Sequence, residues 1–225
     1  VVDKANIDIG VEWGLADSGG EPVGEISDKP ELEHEPTWDV AQLFPPQGDW
    51  SEAEYLALDT NHLVEFSQGY VEFLPMPTLS HQLIALFLYK ALDSLVSAAR
   101  LGRVLVAAYK VKLWEGKYRE PDVIFVKREH LSRMGEQFSL GADLVIEVVS
   151  DQGRPRDLEI KRQEYAQAGI PEYWIVDPQL EQITVLALEG STYTVHGEYP
   201  RGADATSRLL PGFKVNVTEA LSIQG

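Results

Sequence analysis

Between positions 143 and 150 the chain reads Leu144-Val145-Ile146-Glu147-Val148-Val149, apolar at odd and even positions alike, with one glutamate set into the run. A strand with one face in water alternates, so a run apolar on both faces belongs inside a sheet that is covered on each side. Tyr173-Trp174-Ile175-Val176 has the same character and predicts a second packed strand rather than a base-stacking platform. Helices to cover such strands are legible too. Leu83, Ile84, Phe87, Leu88, Ala91, Leu92, Leu95 and Val96 recur at the helical period, with Ser80 as a cap and Gly102 as a stop. A second helical pattern runs over 157–168 and ends at Gly169.

Shorter elements fill the intervals. Ser51-Glu52-Ala53-Glu54 has the form of a capping box and predicts a short helix through Leu58. Residues 62–66 and 70–74 predict a hairpin around Ser67-Gln68-Gly69. Residues 104–114 read as one long strand, Gly116-Lys117 as a turn, and 122–126, 172–176 and 182–188 as further strands, with Pro178 separating the last two. There is no internal repeat or mid-chain linker, so strands interleaved with two main helices predict one mixed α/β domain over residues 38–225. A chain of 225 residues has room for that domain and an appendage, not for two full domains.

The appendage is an acidic arm, residues 1–37, extended or loosely packed. Residues 1–36 hold ten Asp and Glu side chains against Lys4 and Lys29, and so carry −8 of the formal net charge of −17. Only Ile7, Ile9, Val11 and Trp13 alternate well enough there for a short strand. The charge opposes unguided attraction to nucleic acid or an anionic membrane. No apolar run approaches the roughly 18–20 residues that cross a bilayer, and the first twenty residues lack the order of a signal peptide. A cytoplasmic protein with no membrane partner is expected. The absence of cysteine removes disulfides, thiol nucleophiles and cysteine-zinc clusters, so any metal is held by oxygen or imidazole.

Two carboxylates sit where apolar sequence would be cheaper. Asp122 opens Pro121-Asp122-Val123-Ile124-Phe125-Val126, and Glu147 interrupts the central run. A carboxylate in such a strand must be paired, hydrogen-bonded or metal-bound, because burying it alone is very costly. Two of them invite a shared cation, and oxygen ligands with positions left for water and phosphate suit Mg²⁺ or Mn²⁺. Asp157, Lys161 and Tyr165 are spaced four apart and line one helix face. Glu147 and Val149 point to one sheet face, so a lysine from a helix over that face can bring its ammonium to Glu147.

Glu120-Pro121-Asp122-Val123, the run 143–150, Arg156-Asp157 with Lys161 and Tyr165, and the run 169–178, with Ser80-His81 at the head of the long helix, together resemble the Uma2 family. The resemblance spans roughly residues 38 to 215. That family is assigned to the PD-(D/E)xK nuclease fold. The resemblance therefore implies a restriction-endonuclease-like α/β (mixed α+β) domain: a central mixed sheet flanked by helices, with an N-terminal β-hairpin. It also implies a Mg²⁺-dependent DNA endonuclease, with Mn²⁺ as a substitute. Asp122, Glu147 and Lys161 would be its catalytic residues, and Asp122, Glu147 and the backbone carbonyl of Val148 its metal ligands. His81, Glu120, Asp157 and Tyr165 would be accessory positions, and Arg154 and Arg156 phosphate-binding ones. Where the wider superfamily has a lysine two residues after the glutamate, this chain has Val149; the resemblance assigns that lysine's place to Lys161. A homodimer is expected by analogy with the fold.

Each reading has a plainer rival. Asp157 and Lys161 also fit an ordinary i,i+4 salt bridge on a helix surface. Glu120 reads as solvated, His81 as a capping or packing histidine, and Tyr165 as core or site edge. The acidity motivates a second function, a nuclease-fold domain retained for binding or assembly without catalysis. A third is a hydrolase using Asp122 and Glu147 as an acid/base pair. Lys110, Lys112, Lys117, Arg119, Arg154, Arg156, Lys161 and Arg162 offset the acidity only if they converge.

Overall fold

The computed structural model describes residues 44–150 and 153–223. The arm 1–37, its short strand, and the start of the predicted domain at 38–43 lie outside the described residues. Helix α1 (Glu52–Leu56) starts at the predicted capping box: the Ser51 hydroxyl accepts from the Glu54 N–H and the Glu54 carboxylate accepts from the Ser51 N–H. Strands β1 (Val64–Ser67) and β2 (Tyr70–Phe73) form the predicted hairpin. Its turn needs Gly69, where φ is +85° and an added Cβ would lie 2.3 Å from the Gly48 carbonyl oxygen.

Helix α2 (Leu79–Ala99) buries Ile84, Leu88, Leu92 and Val96, as its periodicity predicts. Its ends differ from the expectation. Thr78, not Ser80, caps the start, its hydroxyl accepting from the His81 N–H, and Arg100 in the left-handed region, at φ 54°, ends it. Gly102 has another duty: a Cβ there would meet the Val126 carbonyl oxygen at 2.0 Å, so glycine is what lets the next strand approach its neighbour. Contrary to the sequence expectation, α2 is by length and mean hydropathy (1.3) able to cross a membrane, the one such helix among the described residues. Its buried stripe packs against a sheet, which gives that apolarity a place in the core.

The predicted strand 104–114 is two strands. β3 (Gly102–Val106) pairs with β6 (Val123–Lys127), whereas β4 (Lys110–Trp114) pairs with β5 (Lys117–Arg119) and β7 (Phe138–Leu140). The chain changes sheets over 107–109, where the Tyr109 N–H closes a turn onto the Val106 carbonyl. Lys117, expected in a turn, lies in β5. With β8 (Leu144–Val148), β9 (Glu172–Asp177), β10 (Gln182–Glu189) and β11 (Thr192–Pro200), a six-stranded sheet runs β11-β10-β9-β8-β6-β3, and a five-stranded one runs β2-β1-β5-β4-β7. Strands β12 (Asp204–Thr206) and β13 (Lys214–Asn216) and helix α4 (Val217–Leu221) complete the domain.

Strands β8 and β9 are parallel, and the chain crosses between them through a π-helical turn (Arg156–Ile160) that continues into α3 (Lys161–Gln167). Phe125, Leu144, Ile146, Val148 and Trp174 pack on the α2 side of the sheet. Ile124, Val145, Val149, Tyr173 and Ile175 pack on the other side with Tyr165 and Ala166. Glu147, between Val145 and Val149 by parity, faces the α3 side near the carboxyl end of β8, the edge at which sheets of this kind bind ligands.

Candidate active site

The end of β8, the residue preceding β6, the first turn of α2 and the π-helical turn converge on a cavity of about 360 Å³. Asp122, Glu147, Asp157, Lys161, His81 and Arg156 are among its lining. Antiparallel pairing of β6 with β8 (Val123↔Ile146) carries Asp122 beside the end of β8, where its Oδ2 accepts the Val148 N–H at 2.7 Å. His81 Nε2 lies 3.3 Å from the same Oδ2 and 3.0 Å from the Val148 carbonyl oxygen.

From the opposite side α3 delivers Lys161. Its Nζ donates to Glu147 Oε1 at 2.8 Å and lies 3.3 Å from Asp157 Oδ1 and 3.5 Å from Glu65 Oε1. Tyr165, one turn on, donates its hydroxyl to the same Glu147 oxygen at 2.6 Å. Tyr173 donates its hydroxyl to the Asp157 carbonyl at 2.8 Å, which pins the π-helical turn to the sheet. Such wider turns recur at functional sites because they re-aim the side chains they carry.

The charges do not balance. Burial pushes the Glu147 carboxyl up to about 8, and the charges of Asp122 and Asp157 act in the same direction against the pull of Lys161. Burial likewise raises Asp157. At Lys161 burial opposes the ammonium, but Glu147, Glu65 and Asp157 outweigh it and hold the amine above its ordinary range. At His81 burial again opposes the charged form, and the Asp122 carboxylate outweighs it, so the imidazole is raised. One ammonium thus faces three carboxylates, Glu147, Asp157 and Glu65, with Asp122 close by.

Two carboxylate oxygens are left over. Among the described residues no hydrogen bond engages Asp122 Oδ1 or Glu147 Oε2. Among the described residues there is no group of three or more His, Asp or Glu side chains placed to hold a metal. Two carboxylates suffice for Mg²⁺, which keeps several waters and takes substrate phosphate as well. In donor chemistry the two carboxylates therefore fit Mg²⁺ or Mn²⁺. The Val148 carbonyl, expected as a third ligand, is engaged by His81.

Other expected residues fall in different places. Asp157 and Lys161 do pair at i,i+4, but the lysine is 3% exposed, so the pair is buried rather than on a helix surface. Tyr165 is core and site at once, since its ring packs edge-on against Tyr173. Glu120, read as solvated, is buried: it accepts the Val64 N–H at 3.0 Å and pairs with Lys110 at 3.1 Å. Arg156 lines the cavity with its guanidinium on Glu72, whereas Arg154 pairs with Asp177 at 2.5 Å. The remaining basic residues do not converge on the cavity. Lys112 pairs with Glu52, Lys117 and Arg119 pair with Glu164, and Arg162 donates to the Tyr193 carbonyl.

Sequence reasoning missed Glu65. It is buried beside Lys161, is held by Arg119, and accepts the Glu120 N–H at 3.4 Å. Burial alone would raise its carboxyl, but Lys161 and Arg119 hold it below the usual range. A signal was available. In the predicted hairpin Glu65 falls directly opposite Glu72, and like charges across a strand pair are unfavourable unless cations lie between them.

Residues 52–218 match the model of the Uma2 family, described as "putative restriction endonuclease". Among solved structures, the chain is similar to one described as a putative nuclease belonging to DUF820 from Anabaena variabilis ATCC 29413. The two share 16% identity over 77% of this chain and 98% of that one, with a TM-score of 0.66, which shows the fold. No curated protein matches the chain.

Proposed function

The chain belongs to the Uma2 family, and on that footing we propose that it is a metal-dependent DNA endonuclease whose centre is Asp122, Glu147 and Lys161. The observation that carries this reading is the excess of carboxyl groups around one ammonium beside the cavity, with no hydrogen bond on one oxygen of Asp122 and one of Glu147. A divalent cation relieves such an excess, and the chemistry it supplies when bound is Lewis-acid polarisation of a phosphate and acidification of water. The chain's own groups supply the rest. Tyr165 and Lys161 both donate to Glu147 Oε1 and so fix its carboxyl group. The Val148 N–H and His81 fix Asp122 in the same way. Lys161 stays charged, and its ammonium stabilises charge developing on the phosphate or orients the attacking water. Arg156 is the side chain placed to meet a second phosphate, on exchanging Glu72 for it. A homodimer is part of this proposal, by analogy with the fold.

Nicking of supercoiled plasmid at low salt with Mg²⁺ or Mn²⁺ tests it. The wild type is expected to nick, and Asp122→Asn and Glu147→Gln to lose about 100-fold or more, the usual scale for removing an essential group. Equal nicking by all three would assign the activity to a contaminant. A wild type that binds Mn²⁺ but cuts no form of DNA would favour the second reading, a nuclease-fold domain kept for binding or assembly. That reading draws its support from the ion pairing of both cations in the cavity wall.

A further inference from the structure

The cavity wall is not acidic all round. Leu63, Leu74, Pro75, Met76, Pro77 and Ile84 give it an apolar side. The Leu74 N–H donates to the Leu63 carbonyl at 2.9 Å, and the two prolines hold extended backbone that leads into the Thr78 cap, so this apolar wall is fixed before any ligand arrives. Met76 lines the cavity while 65% exposed, which places a soft, polarizable side chain at its mouth.

The cations tell the complementary half. Arg156 and Lys161, the two in the lining, are in ion pairs, and so are Lys110 behind Glu120 and Arg154 on Asp177. Duplex DNA is held chiefly by free Lys and Arg that displace its counterions, and a chain of net charge −17 with these pairings has little of that attraction here. A single strand carries phosphates at lower charge density, and an unpaired nucleotide adds a contact that paired DNA withholds. Its base offers an apolar face for a wall of this kind, and no pairing or stacking has to be broken to present it. A cavity of about 360 Å³ is of a size to take one such unit.

We propose that the site takes DNA at an unpaired nucleotide, the base lying on the Leu63, Leu74 and Met76 wall and the phosphate toward Asp122 and Glu147; this rests on the nuclease reading above. The substrate is then a single strand, or the open stretch of a partly paired one, rather than continuous duplex.

The test uses one fluorescently labelled oligonucleotide presented three ways: alone, in full duplex, and in a duplex with a central mismatched bubble. Each is treated with the full chain and Mn²⁺, with Glu147→Gln as the background. The single strand and the bubble are expected to be cut at least tenfold faster than the duplex, with bubble cuts confined to the unpaired stretch. Met76→Ala, at an exposed position that folding tolerates, is expected to raise KM for the single strand several-fold with little change in kcat. Duplex cut as fast as single strand, or a KM indifferent to Met76, overturns the substrate assignment and leaves the nuclease reading standing. No cleavage above the Glu147→Gln background in any form overturns the nuclease reading and this inference with it.

Discussion

Two buried glutamates on neighbouring parallel strands, Glu147 on β8 and Glu172 on β9, are treated in opposite ways by the same fold. Glu172, 1% exposed, has both oxygens engaged: Oε1 accepts from Trp174 Nε1 and the Ser207 hydroxyl, each at 2.7 Å, and Oε2 from the Arg208 and Leu209 N–H groups at 2.8 and 2.7 Å. Four donors surround one carboxylate, so it is closed to any ligand and ties the 207–209 loop to the sheet. Glu147 has two donors on one oxygen and carboxylate neighbours around it. The strand register puts Glu172 opposite Leu144, at the start of β8, and Glu147 opposite Ile175, at the far end. Burial of a glutamate is thus no sign of a site by itself. What marks Glu147 is the unengaged oxygen, the crowd of like charges and its place at the carboxyl edge.

The largest break in this contrast comes from Glu172→Ala, which strands one buried and three partly buried donors and is expected to cost about 3–5 kcal/mol of stability, read as a fall in the denaturant midpoint. Glu147→Gln should do the reverse, removing cleavage while changing stability at pH 5 by about 1 kcal/mol or less, the scale of a near-isosteric change that keeps its donors partnered. The sign of its pH dependence follows from the raised carboxyl. The folded state holds a proton up to about 8 that the unfolded chain, at the ordinary carboxyl value of 4.5, has released, so stability is full below the lower value and declines as pH rises through the higher. Thermal melts should therefore show the wild type losing ground to Glu147→Gln between pH 5 and 9.

The same proton must leave when a cation binds. Mn²⁺ affinity should fall roughly tenfold per pH unit below about 8, with proton uptake or release measured by calorimetry in two buffers of different ionisation enthalpy. A smaller effect belongs to Glu65, a positioning residue that touches Lys161 rather than the cavity oxygens. Glu65→Gln should lower kcat about three- to tenfold at unchanged KM and unchanged Mn²⁺ affinity, an effect of roughly 1 kcal/mol at the transition state. Equal loss of metal binding would place Glu65 among the ligands instead.

The sequence made the sheet legible because its central strands are apolar on both faces and the long helix keeps one period for four turns and more. Its errors lie where one residue type serves two purposes. Gly102 looked like a helix stop and is a close-approach glycine, and the unbroken polarity pattern of 104–114 hid a change of sheet. Strands β12 and β13, of three residues each, are too short to show a period. At the site Asp122 and Glu147 were legible as carboxylates set in apolar runs, and Lys161 through the family resemblance, with strand parity making its reach to Glu147 plausible. Glu65 and Glu120 were not, because a glutamate on a hairpin strand or before a proline has the pattern of a solvated residue. Apart from the like-charge pairing of Glu65 with Glu72, it is the tertiary pairing with Arg119, Lys110 and Lys161 that shows they are buried.

Central to the proposed function is a cation shared by one oxygen each of Asp122 and Glu147. Titration of Mn²⁺ at pH 8, followed by the loss of its free-ion electron paramagnetic resonance signal, measures this directly in the wild type, Asp122→Asn and Glu147→Gln. The account predicts one ion per wild-type chain at this site and none at comparable affinity in either variant, with all three folded. Equal binding by the wild type and Glu147→Gln, or none by the wild type, would contradict it.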